Sequence, residues 1–151
     1  MHSFQMESLI NISKENLWKS IWSFDHINKE IAPLFRMTSP SIDLDTIDPK
    51  SIPLNQQLFK SYIFLFKIIP IDIHSFMLKS IIEFEFFEET SSSLMMKHWN
   101  HTRALKARGP QTLLIDKIEY QHRLGFMGQI CFPIYKFVFA HRHKKLKSFY
   151  N

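Results

Sequence analysis

Two polar residues in neighbouring apolar segments, His101 and Asp116, are the pair in this sequence best suited to move a proton. Side chains alternate along a strand, so Trp99 and Arg103 share a face with His101. On the next strand the face of Asp116 also carries Leu114, Ile118 and Tyr120. If the hairpin closes through residues 107–110, residue numbers that sum to 217 stand opposite each other, so that His101 faces Asp116 and Trp99 faces Ile118. A carboxylate so placed fixes the imidazole tautomer and raises its basicity, as a general base requires.

The same pair has a purely structural interpretation. Two buried polar groups would satisfy each other, and Arg103 would neutralise the carboxylate. No Ser or Cys has a recognisable place beside the pair, which argues against a hydrolase. Both interpretations of the pair stay open.

A second histidine lies on a mostly apolar strand face. Over 71–83 alternation predicts a face made of His74, Phe76, Leu78, Ser80 and Ile82. His74 therefore lines a cavity or its rim, or is a hydrogen-bonded residue of the core. On the strand predicted over 58–69, Tyr62 and Phe64 share one face, but both faces are apolar and the pattern does not say which one is inside.

The C-terminal end is basic, because no acidic residue follows Glu119 and residues 141–145 contain His141, Arg142, His143, Lys144 and Lys145. Histidines that are adjacent or two apart on a helix point in different directions, so we expect no metal there. A basic, solvated helix end matches the helix dipole. The alternative is a weak contact with an anionic membrane surface or an acidic head group. Exposed aromatics are not interleaved with these charges, so we expect no nucleic-acid partner.

Composition sets the class of protein. The chain has 151 residues, a net charge of +5, 45% hydrophobic residues and Phe 15, which together predict one domain with a ring-rich core or cavity. Cys131 is the only cysteine, so no intramolecular disulfide forms and a reducing compartment is indicated. The first ten residues lack the pattern of a signal peptide, and we expect a cytoplasmic protein.

The order of elements predicts an α+β domain. Alternation over 3–12 predicts a strand, and helices are expected over 14–23 and 25–32, the second ending at Pro33. A proline-containing loop follows over 38–56. Strands are then expected over 58–69, 71–83, 84–90, 94–106 and 111–122, with breaks at Pro70, at 91–93 and at 108–110. Short turns between consecutive strands favour an antiparallel meander.

The last element, over 126–150, is expected to be a long helix. It is apolar nearly all round in its first half, so we expect protein to wrap it and the concave face of the sheet to hold it. Pro133 is expected to kink this helix or to mark the start of its main segment.

Several local sequence segments agree with a known fold. The segment 10–28, INISKENLWKSIWSFDHIN, resembles the opening of START/Bet v1-like proteins (the SRPBCC superfamily), including the polyketide cyclase/dehydrase and lipid-transport group. The segments around 99–102, Asp116 and 139–146 resemble the later strands and terminal helix of its bacterial ligand-binding members. The resemblance covers nearly all of residues 1–151 and implies a helix-grip fold, in which a curved antiparallel sheet and a long C-terminal helix enclose an internal cavity.

What this resemblance implies for function is binding of a lipid-like or aromatic, polyketide-like small molecule. Three hypotheses follow: a non-enzymatic carrier, an aromatase/cyclase- or dehydratase-type enzyme that uses His101 and Asp116, and a structural module whose cavity its own side chains fill. No cofactor is expected, and the oligomeric state is left open. The candidate ligand-binding residues are Tyr62, Phe64, His74, Phe76, Trp99, Arg103, Ile118, Tyr120, Ile134, Phe137, Val138 and His141.

Overall fold

The chain opens with a strand and two serine-capped helices. The computed structural model describes residues 1–38 and 48–151. Strand β1 (His2–Ile10) leads to helix α1 (Lys14–Ile21), and helix α2 (Phe24–Ile31) follows. The hydroxyls of Ser13 and Ser23 accept hydrogen bonds from backbone N–H groups three residues later, both at 3.4 Å. These bonds satisfy amide groups that the first turn of each helix leaves free.

Seven antiparallel strands form one sheet within the described residues. After α2 come β2 (Phe35–Met37), a 3₁₀ turn (Pro49–Ser51), β3 (Gln57–Leu65), β4 (Ile69–Ile82), β5 (Phe86–Ser93), β6 (Met96–Arg108) and β7 (Gln111–His122). Their spatial order is β1-β7-β6-β5-β4-β3-β2, so β1 and β2 are the edge strands of the curled sheet. With the terminal helix, this is the predicted α+β helix-grip fold.

Strand β2 was not predicted. The side-chain amide of Asn28 holds it, donating to the carbonyl oxygen of Met37 at 2.9 Å and accepting from its N–H at 2.8 Å. A three-residue strand fixed by a side chain from another element leaves little periodicity in the sequence. Part of the loop predicted over 38–56 lies at 39–47, outside the described residues.

Three turn predictions were wrong in position. Residues 91–93 belong to the end of β5, and the β5–β6 turn is at 94–95. Pro70 lies inside β4, opposite Phe64 at a register shift, where a missing N–H is tolerated. The β6–β7 turn contains only Gly109 and Pro110, since Arg108 pairs with Gln111. Gly109 has a φ of 60°, the left-handed conformation that such tight turns use. Opposed residue numbers therefore sum to 219 and not to 217.

Helix α3 (Gly125–Phe149) packs against β1, β7 and α2. Its buried side includes Cys131, Phe139, His143 and Leu146. The expectation that protein wraps this helix on all sides was wrong, because Phe126, Ile130, Ile134 and Phe137 form an exposed stripe. In the described part of the chain, no helix has the length and apolar character needed to span a membrane.

Candidate functional site

The concave side of the sheet encloses a cavity of about 400 Å³. Strands β2 to β6 and all three helices contribute to its wall, which is mostly apolar. The apolar lining includes Trp22, Ile31, Phe35, Ile63, Leu65, Ile71, Phe76, Phe87, Met96, Trp99, Ile134 and Val138. A volume of this size falls in the range of small-molecule sites.

The cavity reaches the surface between the β3–β4 turn and α3. Ile71 and Ile134 both line it, yet 37% and 49% of these residues are exposed. Successive turns of an antiparallel meander alternate between the two ends of a sheet, so the β3–β4 turn, the β5–β6 turn and the β7–α3 connection lie at the same end. We call this end the mouth end. It carries the exposed apolar residues Phe66, Ile68, Ile69, Leu94, Leu124 and Phe126.

Seven of the candidate residues border this cavity. They come from β4, β6 and α3, namely His74, Phe76, Trp99, His101, Arg103, Ile134 and Val138. The five strand residues occupy alternate positions of β4 and β6, so their side chains point to the inner face of the sheet. Ile134 and Val138 are four residues apart on α3 and therefore lie on the same side of the helix.

The other candidates do not line the cavity. Asp116, Ile118 and Tyr120 have no exposed surface and form part of the packed layer behind the wall. Tyr62 is 50% exposed and Phe64 lies under the guanidinium of Arg36 at 4.3 Å, because the inner face of β3 is the one that carries Ile63 and Leu65.

Two α3 candidates also lie outside the cavity. Phe137 is 60% exposed, since it belongs to the exposed stripe of the helix. The ring of His141 is bonded through Nε2 to the carbonyl oxygen of Ala32 at 2.7 Å and does not reach the cavity.

The predicted contact between His101 and Asp116 is confirmed, with His101 Nε2 at 2.9 Å from Asp116 Oδ1. The register is not the predicted one, because His101 faces Ile118 and Arg103 faces Asp116. The shift of two preserves the parity of both strands, so the pair meets diagonally on the same face. The ring of His101 is packed edge-on between Phe87 and Phe139.

Asp116 is the hub of a buried ionic network. Arg103 donates to both of its oxygens, from Nε at 2.8 Å and from Nη2 at 2.7 Å. His143 Nε2 lies at 3.0 Å from Oδ2. Arg103 also contacts Glu30 at 3.4 Å, and Arg142 donates to the same Glu30 carboxylate at 2.9 and 3.1 Å. The network thus joins α2, β6, β7 and α3.

A third carboxylate, that of Glu89, lies on the cavity side of this network. Glu89 Oε1 is bonded to His74 Nε2 and accepts from the hydroxyl of Ser91 at 2.7 Å. Its other oxygen lies 3.7 Å from His101 Nδ1. His101 is therefore flanked by carboxylates on both ring nitrogens, which connects the two parts of the network.

These contacts decide the direction of three pKa shifts. Burial raises the pKa of Asp116 and of Glu89, but the neighbouring cations and imidazoles outweigh it, so both values fall well below the usual range. Burial lowers the pKa of His74, but the charge and hydrogen bond of Glu89 outweigh it and raise the value above 6.5. The two carboxyl groups are therefore ionised at neutral pH.

Sequence reasoning missed Glu30 and Glu89. Glu89 had a signal, because alternation over β5 puts it on one face with Phe87 and Ser91. Glu30 had none, since a glutamate on a short helix next to Lys29 is typical of a solvated face. Within 1–38 and 48–151, no group of three or more His, Cys, Asp or Glu residues is arranged to hold a metal ion.

The curled sheet and the packing of α3 across it define a START/Bet v1-like fold. Solved structures share this architecture over almost the whole chain. Protein CV1439 from Chromobacterium violaceum aligns with a TM-score of 0.75 at 10% identity, covering 99% of this chain and 98% of that one. A START superfamily protein from Mycobacterium smegmatis aligns with a TM-score of 0.72 at 11% identity, covering 99% and 97%.

DynU16, a protein of the dynemicin biosynthetic locus, aligns with a TM-score of 0.62 at 9% identity over 97% of this chain and 46% of its own. At such identities these likenesses establish the fold alone. No curated protein matches the sequence. Residues 8–150 match the model of the family described as a domain of unknown function, DUF8410, and the chain belongs to that family.

Proposed function

We propose that this protein binds and carries a hydrophobic or aromatic small molecule in the cavity between its sheet and α3. The observation that supports this most directly is the apolar cavity of about 400 Å³ that opens at the surface. Burial of an apolar ligand there would yield about 25 cal/mol for each Å² removed from water. Open space of this size also argues against a cavity filled by the protein's own side chains, and the free thiol of Cys131 is compatible with a cytoplasmic carrier.

A matched pair of variants on α3 tests this function. Val138 lines the cavity, while Ile130 is 58% exposed and lies outside it. Val138→Trp should fill the cavity and lower the affinity for the neutral fluorescent probe N-phenyl-1-naphthylamine about tenfold or more, since the space for the ring is lost. Ile130→Trp adds the same indole at the surface and should bind as the wild type does. Far-UV circular dichroism checks that both variants are folded, and a folded Val138→Trp that bound the probe normally would contradict the proposal.

We further propose that loading or release takes place at an anionic membrane surface, through the mouth end. Support comes from the exposed apolar residues around the opening and from the charges among them. The segment 57–71, which comprises β3, the β3–β4 turn and the start of β4, contains Lys60 and Lys67 and no acidic residue. Helix α3 contains no acidic residue either. Such a surface suits insertion of side chains between lipids with basic residues near anionic head groups. The proposed contact is therefore at the mouth end, and not at the basic tip of α3 that the sequence suggested.

A further inference from the structure

We infer that His74, held by Glu89, is the hydrogen-bond donor for the ligand, and that the ligand therefore presents a neutral acceptor oxygen of the ketone or ester carbonyl kind. The inference rests on the proposed binding function. It names the residue and the ligand group that fix the bound molecule's orientation, and it differs from the expectation that His101 and Asp116 carry the chemistry of the site.

Three buried histidines contact the carboxylates of the network, and they differ in which ring nitrogens are free. His101 has a carboxylate oxygen near each ring nitrogen, at 2.9 and 3.7 Å. His143 uses Nε2 for Asp116 and Nδ1 for the hydroxyl of Ser8 at 2.9 Å. His74 uses only Nε2, for Glu89, and no hydrogen bond joins its Nδ1 to a described residue. Among these three rings, His74 alone keeps a nitrogen for a molecule in the cavity that it lines.

The charge of the network indicates what this nitrogen does. Glu30, Glu89 and Asp116 supply three carboxylates, and Arg103 and Arg142 supply two guanidinium groups. One protonated imidazole balances the sum. The proton is placed on His74 because its Nε2 contacts Glu89, which has no guanidinium partner among the described residues, whereas Asp116 beside His101 is already paired with Arg103. Protonated His74 then has Nδ1–H as a donor directed to a ligand, while Nε2–H is bound to Glu89.

The same charges exclude an anionic ligand group at this position. The positive charge of His74 is already neutralised by Glu89, and the two lining guanidinium groups, Arg103 and Arg142, are each paired with a carboxylate. Asp72, which also borders the cavity, adds a further carboxyl group whose Oδ1 accepts from the N–H groups of Ile73 and Met95 at 2.9 and 3.3 Å. A ligand carboxylate would lose its hydration here without gaining a free cation. A neutral carbonyl oxygen needs only the one donor.

A pair of nearly isosteric ligands tests the inference. 2-Acetylnaphthalene and 2-isopropenylnaphthalene differ in having C=O or C=CH₂ at the same position, so only the first accepts a hydrogen bond. In His74→Leu the affinity for the ketone should fall about tenfold or more, as expected for loss of a charged donor, while the affinity for the hydrocarbon should change by less than about twofold. His98→Leu is the matched control, because His98 is an exposed histidine outside the cavity and should leave both affinities unchanged.

A second measurement needs no variant. In ¹⁵N-edited NMR spectra of the wild type, the Nδ1–H resonance of His74 should shift when the ketone is added and stay in place when the hydrocarbon is added. The resonance is identified through the proximity of the ring to Phe76. A purely structural histidine would not distinguish the two ligands.

The outcomes separate this inference from the binding function. If both ligands bind and His74→Leu weakens them equally or not at all, the assignment of His74 is overturned and the carrier function stands. An unchanged His74 resonance in the ketone complex overturns the assignment as well. If the folded wild type binds neither compound, the proposed function fails, and the role of His74 fails with it.

Discussion

Removing the buried guanidinium of Arg103 is the most informative test of the ionic network. Arg103 is 1% exposed and spans the two carboxylates of Asp116 and Glu30. Arg103→Met keeps much of the aliphatic stem and deletes the charge with its hydrogen bonds. The change leaves the cavity wall nearly intact, so a loss of stability reports mainly on the network.

The magnitude follows from what each carboxylate keeps. Asp116 loses two short bonds, at 2.8 and 2.7 Å, whereas Glu30 loses only contacts at 3.4 Å and keeps Arg142. Breaking a buried ion pair from one side costs about 3–5 kcal/mol, and we expect the lower part of that range at pH 8. For a chain of this length that corresponds to a melting temperature roughly 6–15 °C lower.

Urea denaturation followed by tryptophan fluorescence measures these free energies. Lys79→Met is the control, since Lys79 pairs with Glu88 at 3.0 Å on the surface and its loss should cost less than about 1 kcal/mol. If Arg103→Met loses no more than this control at pH 8, with an unchanged m-value, the argument that the network depends on a central cation is refuted.

Three further results are expected. The folded-state pKa of Asp116 lies below its ordinary 3.8, so its contribution to the free energy of unfolding is complete above about pH 4 and is lost as the pH falls below that value. The pKa of His74 is raised, so its contribution is complete below about pH 6.5 and is lost as the pH rises through the folded-state value. His74→Gln should remove the alkaline decline expected in urea titrations of the wild type and keep the acid one. Alkylation of Cys131, which is buried and lines the cavity, by N-ethylmaleimide should slow in proportion to occupancy by 2-acetylnaphthalene, and an unaffected rate would place the ligand elsewhere. Ile68→Ser at the mouth end should weaken sedimentation with vesicles containing anionic lipid, whereas Ile82→Ser, which changes another exposed isoleucine at the far end of β4, should not; equal effects would refute a localised contact.

The fold was accessible from the sequence because its signals are local. Alternation, serine caps and turn residues are each contained within a few neighbouring positions, and together they predict the order of nearly every element. Parity also survives a register error of two residues, which explains why His101 and Asp116 were paired correctly through an incorrect turn. The two-residue turn at Gly109 was the missing information.

The polar part of the site was less accessible because it depends on contacts distant in sequence. Glu30 reaches Arg103 across 73 positions and Arg142 across 112, and no periodicity links such residues. The wall of β3 was ambiguous for a different reason: both faces of this strand are apolar, one lining the cavity with Ile63 and the other carrying the exposed Tyr62. Curvature of the sheet and the position of α3 decide which face is inside.

Native mass spectrometry of the protein purified from its own host tests the central claim most directly. The carrier account predicts a population heavier than the bare chain by the mass of a small organic molecule, which is released on denaturation and is lost or much reduced in Val138→Trp. A released compound that contains a carbonyl group would agree with the assignment of His74. A wild-type protein that carries no such mass, and that also fails to bind N-phenyl-1-naphthylamine while fully folded, would contradict the account.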